Sequence, residues 1–314
     1  MFKNCLKFIF IIIFRPFIKL YLKKSLTVFC FHDVTNNPSF FSREYELNIE
    51  TKIFEKQILF IKKNFNIINP KDLFNEKLPN NAALITFDDG FVSYLNEAYP
   101  IMKKYNVPSI NFLNCEVSNG KDNFAVISCL LSKYDNEFIK ALKLQYPNMN
   151  QNIPLHLYCT KEIVDNHLKS YSNKIKKYSN VNFATLDQLN NYSKNELIYY
   201  GNHLYNHYVC LLLKNSELIN YYNKNQNILK SFNNSLDLFA FPHGLPDISF
   251  NLEQIKIIKS LGAKKIFSTN KLINFDNKNS YMHRITLVSS NKSFYNLWFL
   301  IIRSALNTFK EKNI

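Results

Sequence analysis

The sequence predicts an α/β fold with a largely parallel sheet, and three observations support it. Short apolar runs of strand character alternate with segments of helical periodicity. Metal-capable or acidic residues recur where those runs end, as they do when strand ends converge on one face of a parallel barrel. The 314 residues, 46% of them hydrophobic, suffice to bury one large core, either a barrel or one domain carrying an insertion.

In chain order, residues 1–24 form a basic and apolar segment. Its run from Phe8 to Phe14 is shorter than the ~20 apolar residues a membrane span needs, and the Arg15-Pro16-Phe17-Ile18-Lys19 that follows offers no small-residue cleavage site. An uncleaved interfacial anchor and a first helix packed on the domain both fit this segment, and secretion is a third reading. Residues 25–290 carry the alternating pattern, with candidate strands at Leu26–Phe31, Ala82–Phe87, Ile110–Leu113, Leu197–Tyr200, Leu238–Phe241 and Lys265–Ser268. Phe54, Ile58, Ile61 and Phe65 line one face of a helix over Thr51–Phe65, and a second helix over Leu252–Leu261 ends at Gly262. From about 120 to 183 the rhythm breaks into a stretch rich in Lys, Asn and Tyr with no clear strand. It reads as a mainly helical insertion that borders the strand ends or elaborates the surface. Residues 291–314 predict an amphipathic basic helix, in which Phe294, Leu297, Trp298, Ile301, Leu306 and Phe309 recur beside Arg303, Lys310 and Lys312. Core packing explains that stripe, and contact with a membrane surface is its second reading.

Charge narrows the partners. Lys and Arg number 39 against 24 acidic residues, a formal +15, which favours anionic neighbours such as a lipid surface, a phosphorylated carrier or nucleic acid. No zinc-finger, RNA-recognition or Gly-rich phosphate motif accompanies the charge, so nucleic acid is not expected. The six cysteines are scattered without a C-x-x-C pair, which predicts reduced packing residues.

The sharpest motif is Thr86-Phe87-Asp88-Asp89-Gly90, at the end of an apolar run. Successive strand side chains point to opposite faces until the Gly-assisted turn redirects them, so two adjacent carboxylates can take different tasks, one on a metal and one on a proton. An acidic turn or helix N-cap is the bland reading. His203 and His207, four residues apart, share one face if their segment is helical. Two His and one Asp make a three-ligand site with positions left for water and substrate.

These motifs, with Phe239-Ala240-Phe241-Pro242-His243-Gly244 after them and Phe31-His32-Asp33-Val34 before them, resemble the ordered motifs of the polysaccharide deacetylase family. The opening residues are similar to the start of its biofilm-polysaccharide and surface-glycan branches. The resemblance runs from about Leu26 to Leu287, and the long insertion departs from it. It implies a deformed (β/α) barrel in which Asp89, His203 and His207 hold a divalent metal, zinc first, with Ni, Co or Fe as alternatives. It further implies Asp88 as catalytic base and the backbone N–H of His243 as oxyanion donor. His32 is placed as a substrate contact or proton-transfer aid, with simple packing as its alternative.

The implied substrate is an N-acetylated bacterial surface polysaccharide or lipid-linked glycan. With the charge, the two end segments suggest an anionic membrane surface as a further partner. Their location would be peripheral on the cytoplasmic side, or else secreted or periplasmic. Two departures stand out: Ala240 occupies the place where many members carry an Arg that orients the base, and the late Leu-x-x-His acid motif is not recognisable, His283 being the nearest candidate. Arg284 reads either as a partner of a site carboxylate or as an ordinary surface ion pair. His156 and His167, without partner motifs, read as surface residues. The rival expectation is a glycan- or membrane-binding protein of impaired catalysis on the same fold.

Overall fold

The structure is a computed structural model that describes residues 2–118, 123–168, 178 and 180–312. Its strands are β1 (Leu26–Phe31), β2 (Asp33–Val34), β3 (Asn48–Ile49), β4 (Asn66–Ile67), β5 (Ala82–Phe87), β6 (Ser109–Leu113), β7 (Ile198–Asn202), β8 (Ser235–Ala240), β9 (Lys265–Ser268), β10 (Tyr281–His283) and β11 (Ile285–Thr286). Eight of them pair in the order β10-β9-β8-β7-β6-β5-β1-β11, every ladder parallel, with β4 added on β5 and β2 paired to β3 apart from the rest. This is a nearly closed parallel barrel, the deformed (β/α) architecture expected. Its two end strands, β10 and β11, are separated in the chain by Arg284 alone, so chain continuity brings the open edges together. Asn274 laces the same seam. It exchanges backbone hydrogen bonds with Leu26, its side chain donates to the carbonyls of Leu26 and His283, and its Oδ1 accepts from the His283 N–H at 2.8 Å.

The period of two along each strand divides the core. Leu26, Val28, Leu84, Ile110, Phe112, Tyr199, Leu238, Ala240, Phe267 and Met282 form one buried cluster that fills the barrel. Their neighbours Phe29, Phe31, Ala83, Ile85 and Phe87 face the other way, onto the helix Thr51–Asn64 through Phe54, Ile58 and Ile61. That division has a consequence at the strand ends. His32 continues the inward parity of Val28 and Cys30, Asp88 that of Leu84 and Thr86, His203 that of Tyr199 and Gly201, and Arg284 that of Met282.

Four of the anticipated strands keep their ends to within a residue; β7 runs two residues further, to Asn202, and β8 begins three residues earlier, at Ser235. β2, β3, β4, β10 and β11 were not anticipated, because two or three residues are too few for a period of two to register. The segment holding His203 and His207 is an irregular loop and not a helix, with Leu204 and His207 at left-handed φ of 62° and 55°. Asn202 starts it: its Oδ1 accepts the Leu204 N–H at 2.9 Å, an Asx turn that competes with helix formation. Within the insertion the described residues form helices Phe124–Tyr134, Asn136–Gln145 and Lys161–Asn166, whose Ile127, Leu130, Phe138 and Leu142 join a cluster with Phe239 and Phe241 of the barrel. The segment's start at 119–122 and its stretch 169–177 lie outside the described residues. The helices Phe2–Tyr21 and Phe294–Lys312 pack on each other. No helix among the described residues is long and apolar enough to cross a membrane. Cys30, Cys115, Cys129, Cys159 and Cys210 are buried.

Candidate active site

Asp88 and Asp89 end β5 and part company there. Asp88 stays inward and is 4% exposed, whereas Asp89 and Gly90 adopt left-handed φ of 72° and 75° and turn the second carboxylate toward the β7 loop. A left-handed aspartate is an uncommon conformation whose cost the surrounding fold must offset. What it achieves is visible in the distances. Asp89 Oδ1 lies 3.0 Å from His207 Nε2 and 3.4 Å from His203 Nε2, so three donor atoms from two strand ends face one another. His203 Nδ1 sits 2.8 Å from the Ala240 carbonyl oxygen, which fixes the tautomer with the proton on Nδ1 and leaves Nε2 to the site.

The electrostatics fit this separation. Burial raises the Asp89 pKa, but His207 and then His203 outweigh it and hold the carboxyl well below its ordinary value. Burial likewise lowers the His203 pKa, and the Asp88 and Asp89 carboxylates reverse this, raising it. Asp88 has a different partner: Arg284 donates from Nη1 to Oδ1 at 2.6 Å and from Nη2 to Oδ2 at 2.8 Å, a two-pronged buried pair. Against the effect of burial, Arg284 and then His203 keep Asp88 below the usual carboxylate range. Arg284 is itself fully buried, with its guanidinium carbon 5.4 Å from the Phe112 ring centroid and its Nε donating to the Ser268 carbonyl at 3.3 Å. The reading of Arg284 as a surface ion pair is therefore overturned. Ala240 offers no cationic group, and Arg284, from the barrel seam, occupies both oxygens of Asp88. The sequence pointed to Arg284 only by its place after His283.

A cleft of about 300 Å³ opens over these groups and collects His32, Asp88, Asp89, His203, His207 and His243. His32 stands beside Asp88 because β1 and β5 run in register, Cys30 against Thr86 and Phe31 against Phe87. Burial lowers its pKa. His243, at left-handed φ of 62°, has its ring centroid 4.7 Å from that of His207, and burial with His207 and His156 pushes its pKa well below the ordinary imidazole value. The His243 N–H makes no hydrogen bond among the described residues. His283 is not brought in: its Nδ1 is 3.2 Å from Ser268 Oγ, and it lines a separate hollow beside Asn274 and Thr308.

His156 departs from the surface placement predicted for it. Pro154, His156 and Leu157 of the insertion wall the cleft, with the His156 ring 5.5 Å from His243 and its pKa lowered to about 4 by burial and by His207. No spacing rule could place it, since its partners are 51 and 87 residues away along the chain. His167 stays outside the cleft, half-buried, with Nδ1 2.9 Å from the Ile163 carbonyl.

Comparison with known proteins agrees with this arrangement. The polysaccharide deacetylase family profile matches residues 75–266. A poly-β-1,6-N-acetyl-D-glucosamine N-deacetylase of Staphylococcus aureus is 26% identical over 263 residues, covering 80% of this chain and 72% of its own. Among solved structures, the Streptococcus pyogenes deacetylase PplD, determined with acetate, superposes with a TM-score of 0.60 at 17% identity, over 89% of this chain and 99% of its own. IcaB from Ammonifex degensii gives 0.58 at 15% identity, over 88% and 97%. Asp88, Asp89, His203 and His207 lie within the matched residues 75–266 and Arg284 lies beyond them, on a fold shared with known deacetylases: the chain belongs to the polysaccharide deacetylase family and is a hydrolase.

Proposed function

We propose that this enzyme removes N-acetyl groups from a bacterial surface polysaccharide or a lipid-linked glycan, with Asp89, His203 and His207 holding a divalent metal ion and Asp88 serving as base. The observation that carries the reading is the division of the two adjacent carboxylates, Asp89 toward two imidazole Nε2 atoms and Asp88 toward a guanidinium. The donor set fits an ion. Asp89 Oδ1 is buried without an aligned hydrogen bond, and its separations from the two Nε2 atoms approach the roughly 3.3 Å edge of a tetrahedron with ~2.05 Å bonds. Two nitrogens and one oxygen suit zinc, and also Ni, Co or Fe. Held by these three residues, a divalent ion would supply Lewis acidity, which lowers the pKa of water from 15.7 to roughly 7.

The chain's own groups do the rest. Asp88 Oδ2, 4.0 Å from His203 Nε2, faces the site and takes the proton of the attacking water while Arg284 keeps the carboxylate charged and oriented. The His243 N–H donates to the oxyanion that develops on the acetamide carbonyl. His32 contacts the substrate or assists proton transfer beside Asp88. Phe41, Tyr45, Phe91 and Phe183 give the cleft apolar faces on which a sugar ring stacks. The Staphylococcus relative supports a polymer of N-acetylglucosamine as the first substrate to try.

The test pairs metal content with acetate release from poly-β-1,6-N-acetylglucosamine. Wild type is expected to carry one divalent ion and to release acetate, and His203→Ala and Asp89→Asn are each expected to lose the ion while remaining folded. Full metal occupancy in both variants removes this ligand set. Release from O-acetylated but not N-acetylated polymers moves the reaction to ester hydrolysis.

A further inference from the structure

The helices at the two ends of the chain build a surface that the barrel chemistry does not use. Ile11 and Ile18 of the first helix, and Leu22 just after it, are buried against the domain. The opposite side leaves Ile12, Ile13, Phe17 and Leu20 exposed at 56, 52, 68 and 65%, a cluster of large apolar side chains at helical spacing with no partner among the described residues. Phe309 of the last helix is 57% exposed. Scattered exposed apolar residues are ordinary, but four on one side of one helix are not.

Cations border this face. Residues 1–24 contain six Lys or Arg and no Asp or Glu, and the last helix has Glu311 as its single acidic residue. Arg15 and Lys19 stand over the ring of Trp298, at 5.1 and 5.7 Å from its centroid, and with Ile11, Ile12, Pro16 and Phe294 they line a groove of about 440 Å³ between the two helices. Arg15 Nε is buried without a hydrogen-bond partner, and neither Arg15 nor Lys19 forms an ion pair among the described residues. Lys19 has its pKa lowered by burial and by the like charges of Arg15 and Lys63. Positive charge is thus crowded beside apolar surface with no ion pair to neutralise it among the described residues.

We infer that this two-helix face seats the protein on an anionic phospholipid surface, with Ile12, Ile13, Phe17 and Leu20 among the acyl chains and Arg15 and Lys19 taking lipid phosphates at the groove. Apolar area and basic residues together are what interfacial attachment requires, since neither alone holds a protein stably. The helix lies in the surface and does not cross it. This inference is independent of the metal site.

Trp298 is the chain's one tryptophan, so its fluorescence reports on this groove alone. The experiment measures co-sedimentation of the full chain with vesicles of phosphatidylcholine, with and without phosphatidylglycerol, and repeats the fluorescence with bromine-labelled phosphatidylglycerol. Binding to the anionic vesicles at least tenfold tighter than to neutral ones is expected, with Trp298 quenched by the labelled lipid. Phe17→Glu with Leu20→Glu, both at exposed positions, should weaken binding at least tenfold, and so should Lys19→Glu with Lys23→Glu. Binding indifferent to lipid charge, or no binding, overturns the inference. So does a wild-type dimer in light scattering that the Phe17→Glu/Leu20→Glu chain loses, since a second copy would then be what covers the face.

Discussion

Asp88 and Asp89 are chemically identical and adjacent in the chain, yet the fold gives them different partners, a guanidinium for one and two imidazoles for the other, and the proposed function gives them different tasks. Asp88→Asn keeps the size and most hydrogen bonds of the side chain but cannot accept a proton, so it should retain the metal and lose about two to four orders of magnitude in turnover. Metal analysis and rate on the same preparation check this, and a metal-free Asp88→Asn would make Asp88 a ligand. Arg284 is the strongest of the groups that keep the Asp88 carboxylate charged. In Arg284→Met the effect of burial is opposed only by His203 and His32 and the Asp88 pKa rises, so the acid limb of kcat/KM should move to higher pH, whereas Arg284→Lys should move it less. The stability that the pair confers is complete above the ordinary aspartate pKa of about 3.9 and is lost as pH falls through the depressed folded value. Breaking a buried pair costs about 3–5 kcal/mol, and protonation of Asp88 will soften that in the variant. Urea unfolding at neutral pH and again near pH 4 reads the difference, which should shrink at the lower pH.

At the scale of elements, the site depends on how closely β6 and β7 approach. A Cβ added at Gly201 would lie 2.5 Å from two atoms of the Phe112 ring, and that ring supports the Arg284 guanidinium. Gly201→Ala should therefore cost ~1–3 kcal/mol through overpacking and should lower turnover as well, because the ring cannot move without disturbing the groups that hold Asp88. A variant destabilised in urea but unchanged in turnover would separate Phe112 from the site. The insertion acts at the same scale: His156 and Leu157 wall the cleft, and its apolar residues merge with those of the barrel, so it is part of the core and not an appendage.

Across the whole molecule, the barrel is closed by chain continuity at Arg284 and by Asn274, and both sit where β1, β10 and β11 meet. Asn274→Ala would leave the buried carbonyls of Leu26 and His283 and the His283 N–H with fewer partners. A cost of ~1–3 kcal/mol is expected, together with a loss of activity larger than the distance from Asp89, His203 and His207 suggests, because the seam positions Arg284. Chemical denaturation and acetate release check the two parts separately. Loss of stability without loss of activity would show that the seam and the site are independent.

The sequence by itself determined the strands that carry chemistry and the residues at their ends. Leu26–Phe31, Ala82–Phe87 and Lys265–Ser268 are long enough, and apolar enough, for their period to be read directly, and Asp-Asp-Gly after a buried strand restricts what the two carboxylates can do. The left-handed turn at Asp89 was foreshadowed by Gly90, but the loop of His203 and His207 was not, because spacing alone cannot distinguish a helix from an Asx-turned loop. Only the tertiary structure decided that Arg284 pairs with Asp88, and that His156 enters the cleft from the insertion. Those contacts join residues 196 and 87 positions apart in the chain, Asp88 to Arg284 and His156 to His243. Local propensity and periodicity extend over a few residues, whereas a buried ion pair between a strand end and a barrel seam exists only once the barrel has closed.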